Sequence, residues 1–192
     1  MDAERAARDP RGNPPKVLAR RLLAQTRIFR IEGVDLVFAN GARRTFERIL
    51  GGAGSVMVLP LRDDETVLLT REYATGTDRY ELGLPKGIVE PGEDPLAAAN
   101  RELQEEVGYA ARDLCLLQTL SLAPAYIQHQ THLVLARDLY PSPAPGDEPE
   151  PIEVVAWPLA DLDGLLARDD FSEARSIAGL FLVRRLLAGE GG

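Results

Sequence analysis

Between Asp94 and Gly108 the chain carries a helix signal marked at both ends. Asp94 has the side chain of an N-cap, Pro95 follows at the first helical position, where a missing N–H does no harm, and Gly108 supplies the stop. Leu96, Ala99, Leu103 and Val107 line up as one apolar stripe, so the helix must lie on a core. Glu102, Glu105 and Glu106 fall on an adjacent face, about 110° away at 3.6 residues per turn, and Ala98 projects from that acidic side. Carboxylates three and four residues apart on a helix repel one another unless a cation lies between them. A hard divalent metal such as Mg²⁺, which takes carboxylate and phosphate oxygens alike, removes the repulsion. The helix therefore needs a sheet on one side and predicts metal-dependent phosphate chemistry on the other.

Extended chain is expected on both sides of it. Residues 28–38 are rich in β-branched and aromatic side chains, and Asn40 with Gly41 predicts a hairpin that pairs 34–39 with 43–49. Gly51, Gly52 and Gly54 mark a boundary, after which 55–61 and 66–72 are apolar strand candidates around a polar turn. Residues 80–84 add a short extended segment, and Pro85, Gly87, Pro91 and Gly92 break regular structure before the helix. Beyond it, 114–122, 131–139 and 152–157 suit strands, with a Pro-rich acidic loop over 141–151. A short helix is expected to start at 161. A terminal amphipathic helix is predicted over 171–187, where Ile177, Leu180, Phe181, Val183, Leu186 and Leu187 recur at helical spacing. Strands flanked by helices specify an α/β or α+β sandwich. The organisation read from these breaks is a flexible tail over 1–16, an antiparallel β-strand subdomain over 17–50, and the main domain over 51–192.

A formal charge of -8 argues against a nucleic-acid footprint, which needs surplus Lys and Arg on one surface. Cys115, the single cysteine, excludes an intrachain disulfide; its apolar neighbours predict a small core residue in a reducing compartment. No apolar run reaches the length of a bilayer span and the N-terminal residues lack the shape of a signal peptide, so a cytoplasmic protein is expected. His129 and His132, three apart in an extended segment, face opposite ways and are assigned no shared metal.

Gly87, Glu93, Arg101-Glu102-Leu103, Glu105-Glu106 and Gly108 stand in the register G-x5-E-x7-R-E-U-x-E-E-x-G-U, with U bulky and aliphatic. The segment resembles the Nudix box, with Tyr109 at the last aliphatic position as the one departure. The competing interpretation, a solvated acidic helix, leaves Gly87, Glu93, Arg101 and Gly108 unexplained. Residues 29–47, 71–87 and 123–151 and the C-terminal helix extend the resemblance to ADP-ribose pyrophosphatases and bacterial ADP compounds hydrolases within that superfamily.

The resemblance implies an α/β/α sandwich with a mixed sheet and hydrolysis of a pyrophosphate bridge. ADP-ribose, NADH and short diadenosine polyphosphates are the implied substrates, AMP a product, and Mg²⁺ the cofactor with Mn²⁺ as substitute. It makes Glu102, Glu105 and Glu106 metal ligands, with a backbone carbonyl at Lys86 or Gly87, and puts Glu93 behind them. Arg101 is placed to pair with Glu105 at i+4. Glu105 also stands as base support, and the general base is expected from the acidic loop, Glu148 first and Glu150 second. Substrate contacts are implied for Arg71 on phosphate, Tyr73 near adenine, Glu81, Pro124 and Tyr126. Two other readings stay open: a diadenosine polyphosphate hydrolase with little ADP-ribose activity, and a non-catalytic ADP-ribose sensor. A homodimer formed through the N-terminal strands completes the expectation.

Overall fold

The computed structural model describes residues 12–146 and 148–190, apart from the side chain of Glu190. Most of the expected tail, and Asp147 in the acidic loop, lie outside the described residues. The chain divides into two compact units, one formed by residues up to Gly52 with Ser121–His129, the other by Ala53–Leu120 with the chain from Gln130 onward.

The first unit is a four-stranded sheet in the order β1 (Lys16–Gln25), β2 (Arg30–Val37), β3 (Arg43–Leu50), β9 (Ile127–Gln128). β1, β2 and β3 are antiparallel neighbours, and β9 joins β3 in parallel. The β2–β3 pairing puts Val34 opposite Phe46 and Val37 opposite Arg43, as the hairpin signal predicts. Gly41 takes a φ of +82° in that turn, a conformation glycine adopts freely, and Asn40 Oδ1 accepts from the Ala42 N–H at 3.0 Å. Val17, Leu18, Leu22 and Leu23 on β1 are exposed.

The second unit is built on a mixed sheet in the order β11 (Glu153–Pro158), β5 (Thr66–Ala74), β4 (Ser55–Asp63), β10 (Gln130–Pro141), β8 (Tyr109–Ser121). β6 (Arg79–Gly83) pairs with β5, and β7 (Lys86–Ile88) with β4. β7 corrects the expectation that Pro85 and Gly87 only break structure: Gly87 sits opposite Val56 in an antiparallel ladder. β10 runs parallel to β4 and the other resolved pairs in this sheet are antiparallel.

Alternation along the central strands fills two cores. Met57, Leu59 and Leu61 of β4 and Leu133 and Leu135 of β10 pack with Leu180 and Val183 of the long helix α3 (Ala174–Glu190). The short helix α2 (Leu162–Leu166) contributes Leu162 and Leu165 to the same cluster. Val56, Val58, Val134 and Ala136 face the other way, onto α1 (Pro95–Glu102) and the turn that continues it. The result is the expected α/β/α sandwich.

Three local expectations change. The helix is not uniform, because Leu103–Val107 is a π-turn that closes on Gly108, whose φ is +78° and whose N–H donates to the Leu103 carbonyl. Ala98 does not line the acidic side; it is fully buried between α1 and the sheet with Val56 and Leu103. Cys115 is exposed, because it lies on β8, the edge strand of its sheet.

Candidate active site

Four elements of the second unit meet at the acidic helix: β5, the turn from β6 into β7, α1, and the loop after β10. Pro85 enters the turn with its carbonyl accepting from the Val58 N–H at 2.8 Å, so the loop is stitched to the central strand. The next residue, Lys86, turns both of its donors to carboxylates. Its backbone N–H donates to Glu106 Oε2 at 3.2 Å and its Nζ to Glu72 Oε2 at 2.8 Å. Gly87 then passes so close to the helix that a Cβ there would overlap the Glu102 carboxylate. Its backbone conformation is one any residue adopts, so the glycine is required for closeness and not for φ.

Arg101 is the organising cation. Its Nε donates to Glu93 Oε1 at 3.0 Å, one Nη to Glu93 Oε2 at 3.1 Å and to the Ile88 carbonyl at 3.0 Å, the other to Glu102 at 2.7 Å and Glu105 at 3.2 Å. The expected i+4 pair with Glu105 is present, but it is one arm of a larger fork. Glu93 in turn accepts from the Glu90 N–H at 2.9 Å. The Arg101 guanidinium, followed by that backbone bond, holds the Glu93 carboxyl below its usual range.

Glu102 and Glu106 are buried, at 8 % and 7 % exposure, whereas Glu105 is half-buried. Burial pushes the Glu106 carboxyl up to about 9, and the neighbouring Glu72 charge adds to the effect against the attraction of Lys86. A carboxylate so placed needs a proton or a cation beside it. Glu72 also has an orphaned buried oxygen, Oε1, without a hydrogen-bond partner.

Among the described residues no three His, Cys, Asp or Glu side chains are already gathered at metal-ligand distance, and Arg101 lies between Glu102 and Glu105. The donor set nonetheless fits a hard divalent cation. It offers oxygen donors, chiefly carboxylates with the orphaned Glu72 Oε1 among them, around a glycine that leaves room for the Glu102 head group.

The remaining expected site residues are dispersed. Arg71, expected on a phosphate, bridges Glu153 at 2.9 Å and Asp170. Tyr73 is exposed and meets Tyr80 edge-on, ring centroids 5.5 Å apart. Glu81 accepts from Arg79 Nε at 2.8 Å and lies 3.4 Å from Ser172 Oγ. Glu150 accepts from the Tyr80 hydroxyl at 2.7 Å. Glu148 is in the loop that begins against the π-turn, where Ala144 N donates to the Gln104 carbonyl at 3.1 Å and a Cβ on Gly146 would stand 3.8 Å from Glu105 Cβ. Pro124 and Tyr126 belong to the first unit, where the Tyr126 carbonyl accepts from Ile49 N at 2.8 Å.

Glu72, the Lys86 ammonium and Tyr80 escaped the sequence reading. The signal for Glu72 was present: Leu68, Thr70 and Glu72 alternate onto one face of β5, and Leu68 packs in the α1 core. Lys86 and Tyr80 acquire their roles only from partners 14 and 70 residues away.

Residues 53–180 match the NUDIX domain family, and residues 15–48 match the NudE-type Nudix hydrolase N-terminal domain. The chain is 49% identical over 178 residues to ADP compounds hydrolase NudE of Escherichia coli (strain K12), covering 92% of this chain and 95% of that protein. It is 26% identical to an ADP-ribose pyrophosphatase of Bacillus subtilis (strain 168), covering 84% of this chain and 90% of the relative. A crystal structure of an ADP compounds hydrolase superposes with a TM-score of 0.87 at 49% identity, over 93% of this chain and 97% of that one. With the box register folded as described, and a family match spanning residues 53–180, the chain belongs to the Nudix hydrolases.

Proposed function

We propose that the protein hydrolyses the pyrophosphate bridge of ADP-linked compounds, namely ADP-ribose, NADH and short diadenosine polyphosphates, and releases AMP. The observation that carries this reading is the pair of buried carboxylates, Glu102 and Glu106, held against the Pro85–Gly87 turn in a chain so similar to an enzyme named for ADP compounds. Mg²⁺ is the assigned metal, with Mn²⁺ as substitute. Glu102, Glu105 and Glu106, with the backbone carbonyl at Lys86 or Gly87, would hold it. When bound, it supplies a Lewis acid for phosphoryl oxygens and lowers the pKa of a coordinated water.

The protein's own part is positioning and proton transfer. Lys86 holds Glu106 and Glu72 from one side, and Arg101 holds Glu93, Glu102 and Glu105 from the other, so the carboxylates are fixed before substrate arrives. Glu148 accepts the proton of the attacking water, with Glu105 in support. Tyr73 and Glu81, on the β5–β6 hairpin, and Pro124 and Tyr126 serve substrate binding. Residues 17–50 act as a dimerisation subdomain beside a catalytic domain over 51–192, a reading supported by the exposed apolar side chains of β1.

A substrate panel with chromatographic identification of products tests the reading. AMP from ADP-ribose, NADH and diadenosine triphosphate is the expected result. The absence of AMP from all three, in Mg²⁺ and in Mn²⁺, overturns it.

A further inference from the structure

A phosphate entering the acidic site meets mainly carboxylates, since Glu72, Glu93, Glu102, Glu105 and Glu106 stand there with only Arg101 and Lys86 tied to them in the box and its turn. Arg101 is fully used. Its N–H groups go to both oxygens of Glu93, to Glu102, to Glu105 and to the Ile88 carbonyl, which exhausts the donors of a guanidinium. Lys86 has donors to spare. Among the described residues its ammonium has one hydrogen-bond partner, Glu72 Oε2 at 2.8 Å, although an ammonium carries three N–H groups. Solvent reaches the pair, with the Lys86 side chain 34 % and the Glu72 side chain 23 % exposed.

The fold decides where that ammonium stands. Leu68 and Glu72 alternate onto the face of β5 that packs on α1, so Glu72 draws the Lys86 head group to the side of the sheet where the acidic helix lies. The backbone N–H of Lys86 is meanwhile on Glu106 Oε2 at 3.2 Å, which roots the side chain beside the carboxylates assigned to the metal. An ammonium on a flexible four-carbon stem is a point charge with rotatable donors, and it can keep one N–H on Glu72 while another meets a second anion. We propose that the Lys86 ammonium binds a phosphoryl oxygen of the pyrophosphate substrate, with Glu72 as the anion it rests on before substrate arrives. Lys86 is then a substrate contact as well as the residue whose backbone holds Glu106.

The contact rests on the reading of the site as one for pyrophosphate compounds, and the experiment separates the two. The probe is ADP-ribose with a methylene group in place of the bridging oxygen, which cannot be hydrolysed at that bridge. Its Kd is measured by calorimetry in saturating Mg²⁺ for wild type, Lys86→Met, Glu72→Gln and the double variant Lys86→Met/Glu72→Gln. The Kd of Mn²⁺ alone is measured on the same proteins by electron paramagnetic resonance. Loss of one charge-assisted hydrogen bond at a partly exposed position raises the Kd of the analogue about tenfold in Lys86→Met. The same factor separates the double variant from Glu72→Gln, because the bond is to the substrate and not to Glu72. Mn²⁺ alone binds Lys86→Met no more weakly than wild type, since a cation beside the carboxylates has been removed. Methionine keeps the stem and the backbone bond to Glu106, and Lys86→Gln gives a second reading of the same contact. An unchanged analogue Kd in both Lys86 variants overturns the contact alone. So does a Mn²⁺ Kd raised as far as the analogue's, or a penalty that vanishes on the Glu72→Gln background, because either makes Lys86 act through the carboxylates. No binding of the analogue by wild type overturns the pyrophosphate reading, and the contact with it.

Discussion

Gly87→Ala isolates closeness of approach from every other property of the box. The new methyl would occupy space filled by the Glu102 carboxylate, so the side chain must leave the position in which it accepts from Arg101 at 2.7 Å. Gly87 does not have the positive φ that would strain an alanine, and its obstacle is the end of a side chain, not backbone. The stability cost therefore belongs at the low end for overpacking, about 1 kcal/mol. That corresponds to a fall of about 2–4 °C in Tm for a domain of this size. The chemical cost is larger, because an ångström of misplacement in a positioned group is worth on the order of 10²-fold in rate. Thermal unfolding and AMP release from ADP-ribose, measured on the same sample, give both numbers. An alanine variant with kcat within threefold of wild type, or one that fails to fold, refutes the argument that Gly87 exists to make room for Glu102.

Asp170, held down to about 2 chiefly by Arg168 and also by Arg71, stabilises the fold above its unfolded value of 3.8, and that contribution is lost as pH falls toward 2. Asp170→Asn should lower Tm at pH 7, by about 1–2 kcal/mol of stability after allowance for solvent screening, and match wild type near pH 2; an equal deficit at both pH values contradicts this. Saturating Mg²⁺ should raise Tm, by about 2.7 kcal/mol of stability at a hundred times Kd, and Glu106→Gln should abolish most of the shift. Sedimentation at micromolar concentration should give a homodimer, and a monomer there removes the dimer reading.

What could be read from sequence was what is decided locally. Asp94 accepts from Leu96 N and Ala97 N as an N-cap must, and Gly108 ends the helix with a left-handed φ, because caps depend on residues a turn apart. The Asn40-Gly41 hairpin and the two-faced strands β4 and β10 follow from equally short patterns. The π-turn did not: apolar spacing over five residues does not separate 3.6 residues per turn from a wider coil. Ala98 reads as part of the acidic side because it stands one helical turn before Glu102, and the sheet claims it instead. Cys115 has core-like neighbours in sequence, but β8 has a strand on one side only, which is a property of the whole sheet. Arg71 reads as a phosphate contact, and its partners Glu153 and Asp170, which the fold brings from 82 and 99 residues away, have no local signal. The box carboxylates were legible because they sit within one helix. Lys86, whose backbone N–H holds Glu106, and Glu72, which the Lys86 ammonium holds, meet only after folding.

The central claim is that the buried carboxylates of the helix serve pyrophosphate hydrolysis. ³¹P NMR of ADP-ribose incubated with the protein and Mg²⁺ tests it on the bond itself. The two pyrophosphate resonances should decay while two phosphomonoester resonances, AMP and ribose 5-phosphate, grow at equal rates, and Glu106→Gln should slow this at least a hundredfold. Intact pyrophosphate resonances with wild-type protein, or equal rates for the two proteins, would contradict it.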